Sequence, residues 1–177
     1  IVCTRRKVHP RILLKKMAPT FLIALTTASS SAAFGVNMEC CEKDLGIDKR
    51  IVNFGVSLGQ VIFMPGVSVM FLAVGFCMAE IYGVAVSPVW LVTAFIIAIV
   101  LAVAAPPVPG GALTCYRILF VQLKIPMEAI AITIALNAIL EFFTTAVNLF
   151  CLQTELVELA AGLDMLDLKR LREENKN

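Results

Sequence analysis

Residues 87–123 read SPVWLVTAFIIAIVLAVAAPPVPGGALTCYRILFVQL. Residues 87–104 are apolar and carry Trp90, an anchor for a membrane interface. Ala105-Pro106-Pro107-Val108-Pro109-Gly110-Gly111 then ends any helix, because proline lacks the backbone donor and glycine is permissive. Residues 112–123 form a second, short apolar arm. The stretch predicts two helical arms around a non-helical tip. Unpaired backbone at membrane depth survives only where it is buried in protein or lines a wet cavity. The arms are too short for two full crossings, which need about 20 residues each, so the pair is expected to enter and leave the bilayer on one side.

The same pattern recurs upstream. Residues 17–25 and 32–38 are apolar, and residues 26–31 between them are Thr, Ala and Ser. This predicts a first re-entrant hairpin over residues 17–43. Residues 51–63 and 67–82 are apolar and are separated by Met64-Pro65-Gly66, which predicts one broken transmembrane helix over 48–83. The second hairpin takes 87–123. Residues 125–152 predict one long transmembrane helix. Leu156, Leu159, Leu163 and Leu166 step by 3, 4 and 3, so 153–177 is expected to form an amphipathic surface helix in a cytoplasmic tail. Residues 1–16 form a basic cytoplasmic segment.

Composition agrees with a bilayer. Of 177 residues, 59% are hydrophobic and 16% charged, against roughly 45–50% and 25% in soluble domains. Between residues 51 and 116 the only charge is Glu80. With both hairpins re-entrant, residues 1–16, 39–50 and 153–177 share one side. All Lys and Arg residues except Arg117 and Lys124 fall there, which orients that side to the cytoplasm. The chain opens at Ile1 into a basic block too long for a signal peptide, and this start is read as a truncation. The expected class is an all-α integral membrane protein, multi-pass in the cell membrane.

Six cysteines show no Cys-x-x-Cys spacing and fit buried apolar positions better than a metal or disulfide framework. His9 is the sole histidine. No enzyme, metal site, organic cofactor or nucleic-acid partner is therefore expected. In the long helix, Asn137, Glu141, Thr144, Thr145 and Asn148 fall on one face. A carboxylate near the bilayer midplane costs about 2.5–3.5 kcal/mol and usually faces a cavity or a partner. Thr and Asn on such a face also serve simply as glue between helices.

Several motifs together resemble the sodium:dicarboxylate symporters of the glutamate-transporter type. Thr27-Ala28-Ser29-Ser30-Ser31-Ala32 is similar to the serine-rich tip of that family's first hairpin. Leu45-Gly46-Ile47 and Leu58-Gly59 resemble the approach to its unwound seventh helix. Val108-Pro109-Gly110-Gly111 resembles its second tip, and Thr145-Ala146-Val147-Asn148 its Thr-x-x-Asn. The resemblance covers about residues 15–155. It implies the transport-domain half of the fold, two re-entrant hairpins, a broken helix and a long helix, moving by an elevator-like mechanism. It also implies a homotrimer joined through scaffold helices outside this chain.

Carried over residue by residue, Ser30 and Ser31 would contact a substrate carboxylate. Val108 and Gly111 would line the site from the second tip. Glu141 stands for an aspartate that holds the amino group, and Thr144, Thr145 and Asn148 complete the substrate site. Gly59 and Asn148 would offer oxygens to a cation. The departures are Phe63-Met64-Pro65-Gly66-Val67 in place of Asn-Met-Asp-Gly-Thr, Leu152 in place of a cation-binding aspartate, and Thr144 where acidic-substrate members carry arginine. Sodium favours oxygen ligands, so the coupling ion stays open between sodium and a proton. Without an arginine fork for a second carboxylate, a neutral amino acid is the expected substrate. The other reading is a non-transporting homologue that acts as a membrane partner protein.

Overall fold

The structure, a computed structural model, describes residues 2–106 and 110–173. Its elements are α1 (Val2–Arg6), α2 (Pro10–Thr27), α3 (Ser30–Glu39), α4 (Lys49–Ile62), α5 (Pro65–Ile81), α6 (Pro88–Ala104), α7 (Gly111–Leu123), α8 (Ala129–Gly162) and α9 (Leu168–Arg172). A π-helical turn, Cys40–Asp44, extends α3. Among the described residues the only β feature is an isolated bridge between Ile47 and Leu166. Two stretches are long and apolar enough to cross a membrane, Lys49–Ile81 and Ala129–Gly162.

The first arm is longer than its apolar run. His9 caps α2 by accepting from the Arg11 amide at 3.3 Å, and Pro10 occupies the first helical turn, where its missing donor has no cost and its φ is already helical. The helix therefore carries Arg11, Lys15 and Lys16 before the apolar residues begin. It ends at Ala28 in the left-handed region, φ 49°, and Ser29 opens α3 by accepting from Ala32 N at 3.2 Å. The helices α2 and α3 pack as a pair, as do α6 and α7. Small residues make the junction with α8: Ala24, Ala33 and Ala146 are fully buried with Leu149, and small side chains let helix backbones approach closely.

The break in the α4–α5 unit falls at Phe63 and Met64, and Pro65 begins α5. A second cluster packs α5, α6 and α7 around Phe71, Tyr116, Leu119 and Phe120. There Phe71 meets Tyr116 edge-to-face, with centroids 5.0 Å apart.

The tail departs from the amphipathic surface helix expected for 153–177. The helix α8 runs on without a break to Gly162. It buries Gln153, Leu156, Val157 and Ala160, while Leu159 and Leu163 are exposed. Of the four spaced leucines, Leu156 and Leu159 lie on different faces of α8, Leu163 caps its end, and Leu166 lies beyond it in the bridge to Ile47. Asp164, φ 55°, then turns the chain back. Asp48 N donates to Met165 O at 3.0 Å and Asp167 N to Gly46 O at 2.8 Å. Lys16 is 3% exposed and donates to Asp44 O (2.8 Å) and Arg170 O (2.6 Å). Burial is the main cause of a pKa below the ordinary lysine value, with Asp44 acting the other way. The three basic segments thus meet at one end of the molecule.

Two outcomes follow from this packing. A Cβ on Gly66 would lie 2.9 Å from the Thr144 carbonyl and 3.0 Å from Asn148 Oδ1. Gly66→Ala is expected to cost about 2 kcal/mol in thermal unfolding, whereas Gly35→Ala, with nothing within 4 Å, should cost nothing. Lys16→Met removes two hydrogen bonds from a charged donor and should cost about 2 kcal/mol. Hydrogen exchange at the Asp48 and Asp167 amides should then accelerate before the rest of the chain.

Candidate functional site

Each interrupted helix leaves amide groups at its N-terminus with no acceptor in the helix itself. Met64 provides no side-chain cap for α5, and Gly110 cannot provide one for α7. The helix α8 supplies both. Asn148 Oδ1 accepts from Gly66 N at 2.7 Å. Glu141 accepts from Gly110 N with Oε1 at 2.8 Å and Oε2 at 3.0 Å. The offset of seven residues places these acceptors two turns apart on one face, about 10 Å along the axis.

Between these contacts lies a small recess. Ala28 and Ser30 line it from the first hairpin, and Ala105, Pro106 and Ala112 from the second. Met64, Val67 and Met70 come from α5 and its approach, and Glu141, Thr144, Thr145 and Asn148 from α8. Glu141 is the single ionisable side chain among the described lining residues. The cavity volume of the recess is about 30 Å³, enough for about two waters.

Of the residues expected at the site, Ser30, Glu141, Thr144, Thr145 and Asn148 come together here. Ser31 does not: it is exposed and faces a different surface, beside Phe34, Ser57 and Gln60. The reason is helical. Ser29 is the cap and Ser30 begins α3, so Ser31 turns about 100° away from Ser30. Gly111 is buried but does not line the recess; a Cβ there would collide with the Pro106 carbonyl. Its place in the site is packing of the tip. Val108 lies outside the described residues.

Gly59 and Asn148 are engaged elsewhere. The Gly59 carbonyl accepts from Phe63 N at 2.8 Å, and Asn148 Oδ1 holds Gly66. A Cβ on Gly59 would run into Leu152, so an aliphatic side chain borders the position where a cation would need oxygens. The residues around Gly59 do not fit a sodium ion. No three His, Cys, Asp or Glu residues cluster as metal ligands among the described residues.

The sequence reading missed a buried polar network behind the first tip. Gln153 Nε2 donates to Thr20 Oγ1 (3.0 Å) and Asn37 Oδ1 (2.9 Å). Asn37 Nδ2 donates to Gln60 Oε1 (3.1 Å), and Gln60 Nε2 to the Ser30 carbonyl (2.6 Å). The network fixes the Ser30 backbone to α4, α3, α8 and α2. A signal existed: Asn37 is the one amide in the apolar run 32–38, and Gln60 is one of two amides in 51–63; such residues usually bond across helices.

Comparison with known proteins agrees with this architecture. The profile of the sodium:dicarboxylate symporter family matches residues 1–152. An excitatory amino acid transporter of Caenorhabditis elegans is 27% identical over 142 residues, 80% of this chain and 28% of the relative. Human excitatory amino acid transporter 2 is 30% identical over 128 residues, covering 72% and 22%. Human neutral amino acid transporter A is 30% identical over 143 residues, covering 81% and 27%. The chain therefore spans roughly a quarter of the length of these relatives, which are transporters and not enzymes. A match over most of the chain, on a helical frame interrupted where the motifs lie, makes this protein a member of the sodium:dicarboxylate symporter family.

Proposed function

We propose that the chain is the substrate-carrying part of a secondary transporter that moves a neutral amino acid across the cell membrane. The observation that carries this reading is the recess itself. Two helix pairs and the polar face of α8 converge on one small space with a single carboxylate, Glu141, and no cationic side chain among the described lining residues. A carboxylate suits a substrate ammonium. The hydroxyls of Ser30, Thr144 and Thr145 and the amide of Asn148, which line the recess, suit an α-carboxylate. The lining beside them, Met64, Val67 and Met70, is apolar, and Thr144 offers only a hydroxyl where a second substrate carboxylate would call for a guanidinium. That a relative is a neutral amino acid transporter supports the same choice.

In this reading α2–α3 and α6–α7 are re-entrant hairpins and the α4–α5 unit and α8 cross the bilayer. The convergence of residues 16, 44–48 and 165–170 at one end supports a shared cytoplasmic side. Exposed Phe54, Val69, Ile139 and Phe143 suit contact with lipid or with scaffold helices outside this chain. Through those helices the protein would form a homotrimer and move this domain like an elevator. The family's coupling ion is sodium, and a proton is the other choice because Leu152 borders Gly59. The same packing favours, as a second reading, a homologue that has lost transport and serves as a membrane partner protein.

Proteoliposomes holding the intact protein should take up labelled alanine or serine under a sodium or a proton gradient. Glu141→Ala or Asn148→Ala should lower uptake about 10–100-fold, the worth of one charge-assisted contact. Absence of uptake of every amino acid and dicarboxylate under both gradients would leave the non-transporting reading. Thr144→Arg should raise uptake of aspartate relative to alanine; an unchanged ratio would remove Thr144 from the specificity argument.

A further inference from the structure

Away from the recess, the turn before α6 and the end of α7 enclose a groove of about 370 Å³, within the range of about 300–1,000 Å³ for small-ligand sites. Ser87, Thr93, Gln122 and Lys124 give it polar groups, and Val84 and Trp90 form apolar walls. Lys124 is the single ionisable side chain there, and no acidic residue lines the groove to neutralise it. Lys124 also caps α7 with φ 57°, in the left-handed region that glycine enters without strain and lysine does not. The Trp90 wall is held in place. Its Nε1 donates to the Leu123 carbonyl at 3.0 Å, and its ring meets Phe76 edge-on with centroids 5.2 Å apart. An apolar stripe starts at the groove. Val89, Val92, Ile96, Val100 and Val103 are each more than half exposed and fall on one face of α6. Val89 also lines the groove. The stripe runs about 21 Å along the helix, and one leaflet of hydrocarbon is about 15 Å deep.

We propose that this groove and stripe form a binding site for one phospholipid, with its phosphate on Lys124 and an acyl chain along α6. The charges match. A lipid phosphate is an anion, and the Lys124 ammonium offers it three donors. The Gln122 amide can add another. The Ser87 hydroxyl accepts from Trp90 N at 3.1 Å, which leaves its own proton free to donate. The order of groups matches as well: cation, indole and hydrocarbon follow headgroup, interface and chain. A protein helix packed on α6 would cover the stripe but leave the cation without a partner. The proposal rests on the reading above that α6 and α7 stand in the bilayer, with this end away from the basic segments. Its test needs no transport.

The test is native mass spectrometry of the intact protein, released from detergent after titration with phosphatidylcholine. The unsubstituted protein should retain the lipid. Lys124→Gln should weaken retention about fivefold, and Lys124→Arg should keep it. Arg117→Gln removes a charge from an exposed position of α7 outside the groove and should also keep it. Should Lys124→Gln fail to fold, Lys124→Gly serves, since glycine accepts the left-handed backbone and carries no charge. Diacylglycerol, with the same chains and no phosphate, should bind about fivefold more weakly than phosphatidylcholine, and inorganic phosphate should not displace the lipid. Retention unchanged in the uncharged Lys124 variants, or lowered equally by Arg117→Gln, would overturn the phosphate contact and with it the proposal. Diacylglycerol held as tightly as phosphatidylcholine would reduce the site to an apolar face, and displacement by inorganic phosphate would make it a site for a free anion; either result overturns the proposal. No lipid on the unsubstituted protein would mean that other helices cover α6, and would overturn it too. Retention as expected with no uptake of any amino acid would instead count against the transport reading alone.

Discussion

Two helix N-termini end inside this protein, and everything around the recess follows from the need to give their amides acceptors. In an apolar interior an unpaired amide is costly because no water can replace the lost partner. Neither break supplies its own cap. The helix α8 does so from one face, with Asn148 on Gly66 and Glu141 on Gly110. This single arrangement locks the α4–α5 unit and the second hairpin to the same helix. It also concentrates polarity where the two hairpins meet. The chemistry of the recess is thus a by-product of satisfying backbone, and any group that enters must negotiate with contacts the fold already uses.

The first hairpin is held by different means. Its tip is capped locally by Ser29, and its depth is set by the chain of amides from Gln153 through Asn37 and Gln60 to the Ser30 carbonyl. Every member of that chain is buried. A fully satisfied network of this kind stiffens one arrangement and makes alternatives expensive. The second tip rests on one carboxylate and one asparagine. The two pairs are thus held differently: α2–α3 by a polar network behind its tip, and α6–α7 by apolar packing against α5 with Glu141 on the Gly110 amide.

The family frame is retained while part of its polar chemistry is not. Leu152 packs over Gly59, Pro65 begins α5 where the family's motif has an aspartate, and Met64, Val67 and Met70 present apolar atoms to the recess. These exchanges remove oxygens and add hydrocarbon. The helices can still be packed, because packing depends on volume and capping. Ion coordination depends instead on oxygen count.

Much of the frame was legible in the residues. Pro65-Gly66 and the Pro-Gly run after Ala105 read as breaks because proline withholds a donor and glycine frees the backbone together, whereas the lone Pro19 is carried inside α2. The stripe from Asn137 to Asn148 follows from helical period alone, and four of its members, Glu141, Thr144, Thr145 and Asn148, line the recess. Periodicity failed at the tail, where α8 continues to Gly162, since leucine spacing cannot tell one long helix from two. It failed at Ser31 because a tip motif does not say which serine is the cap. What tertiary structure alone decided is the pairing: which acceptor meets which amide, that Lys16 reaches the carbonyls of Asp44 and Arg170, and that Gln60 reaches Ser30. A sequence states where backbone groups are orphaned and where polar side chains exist. Only packing, by bringing residues 28 to 154 positions apart into contact, decides who satisfies whom.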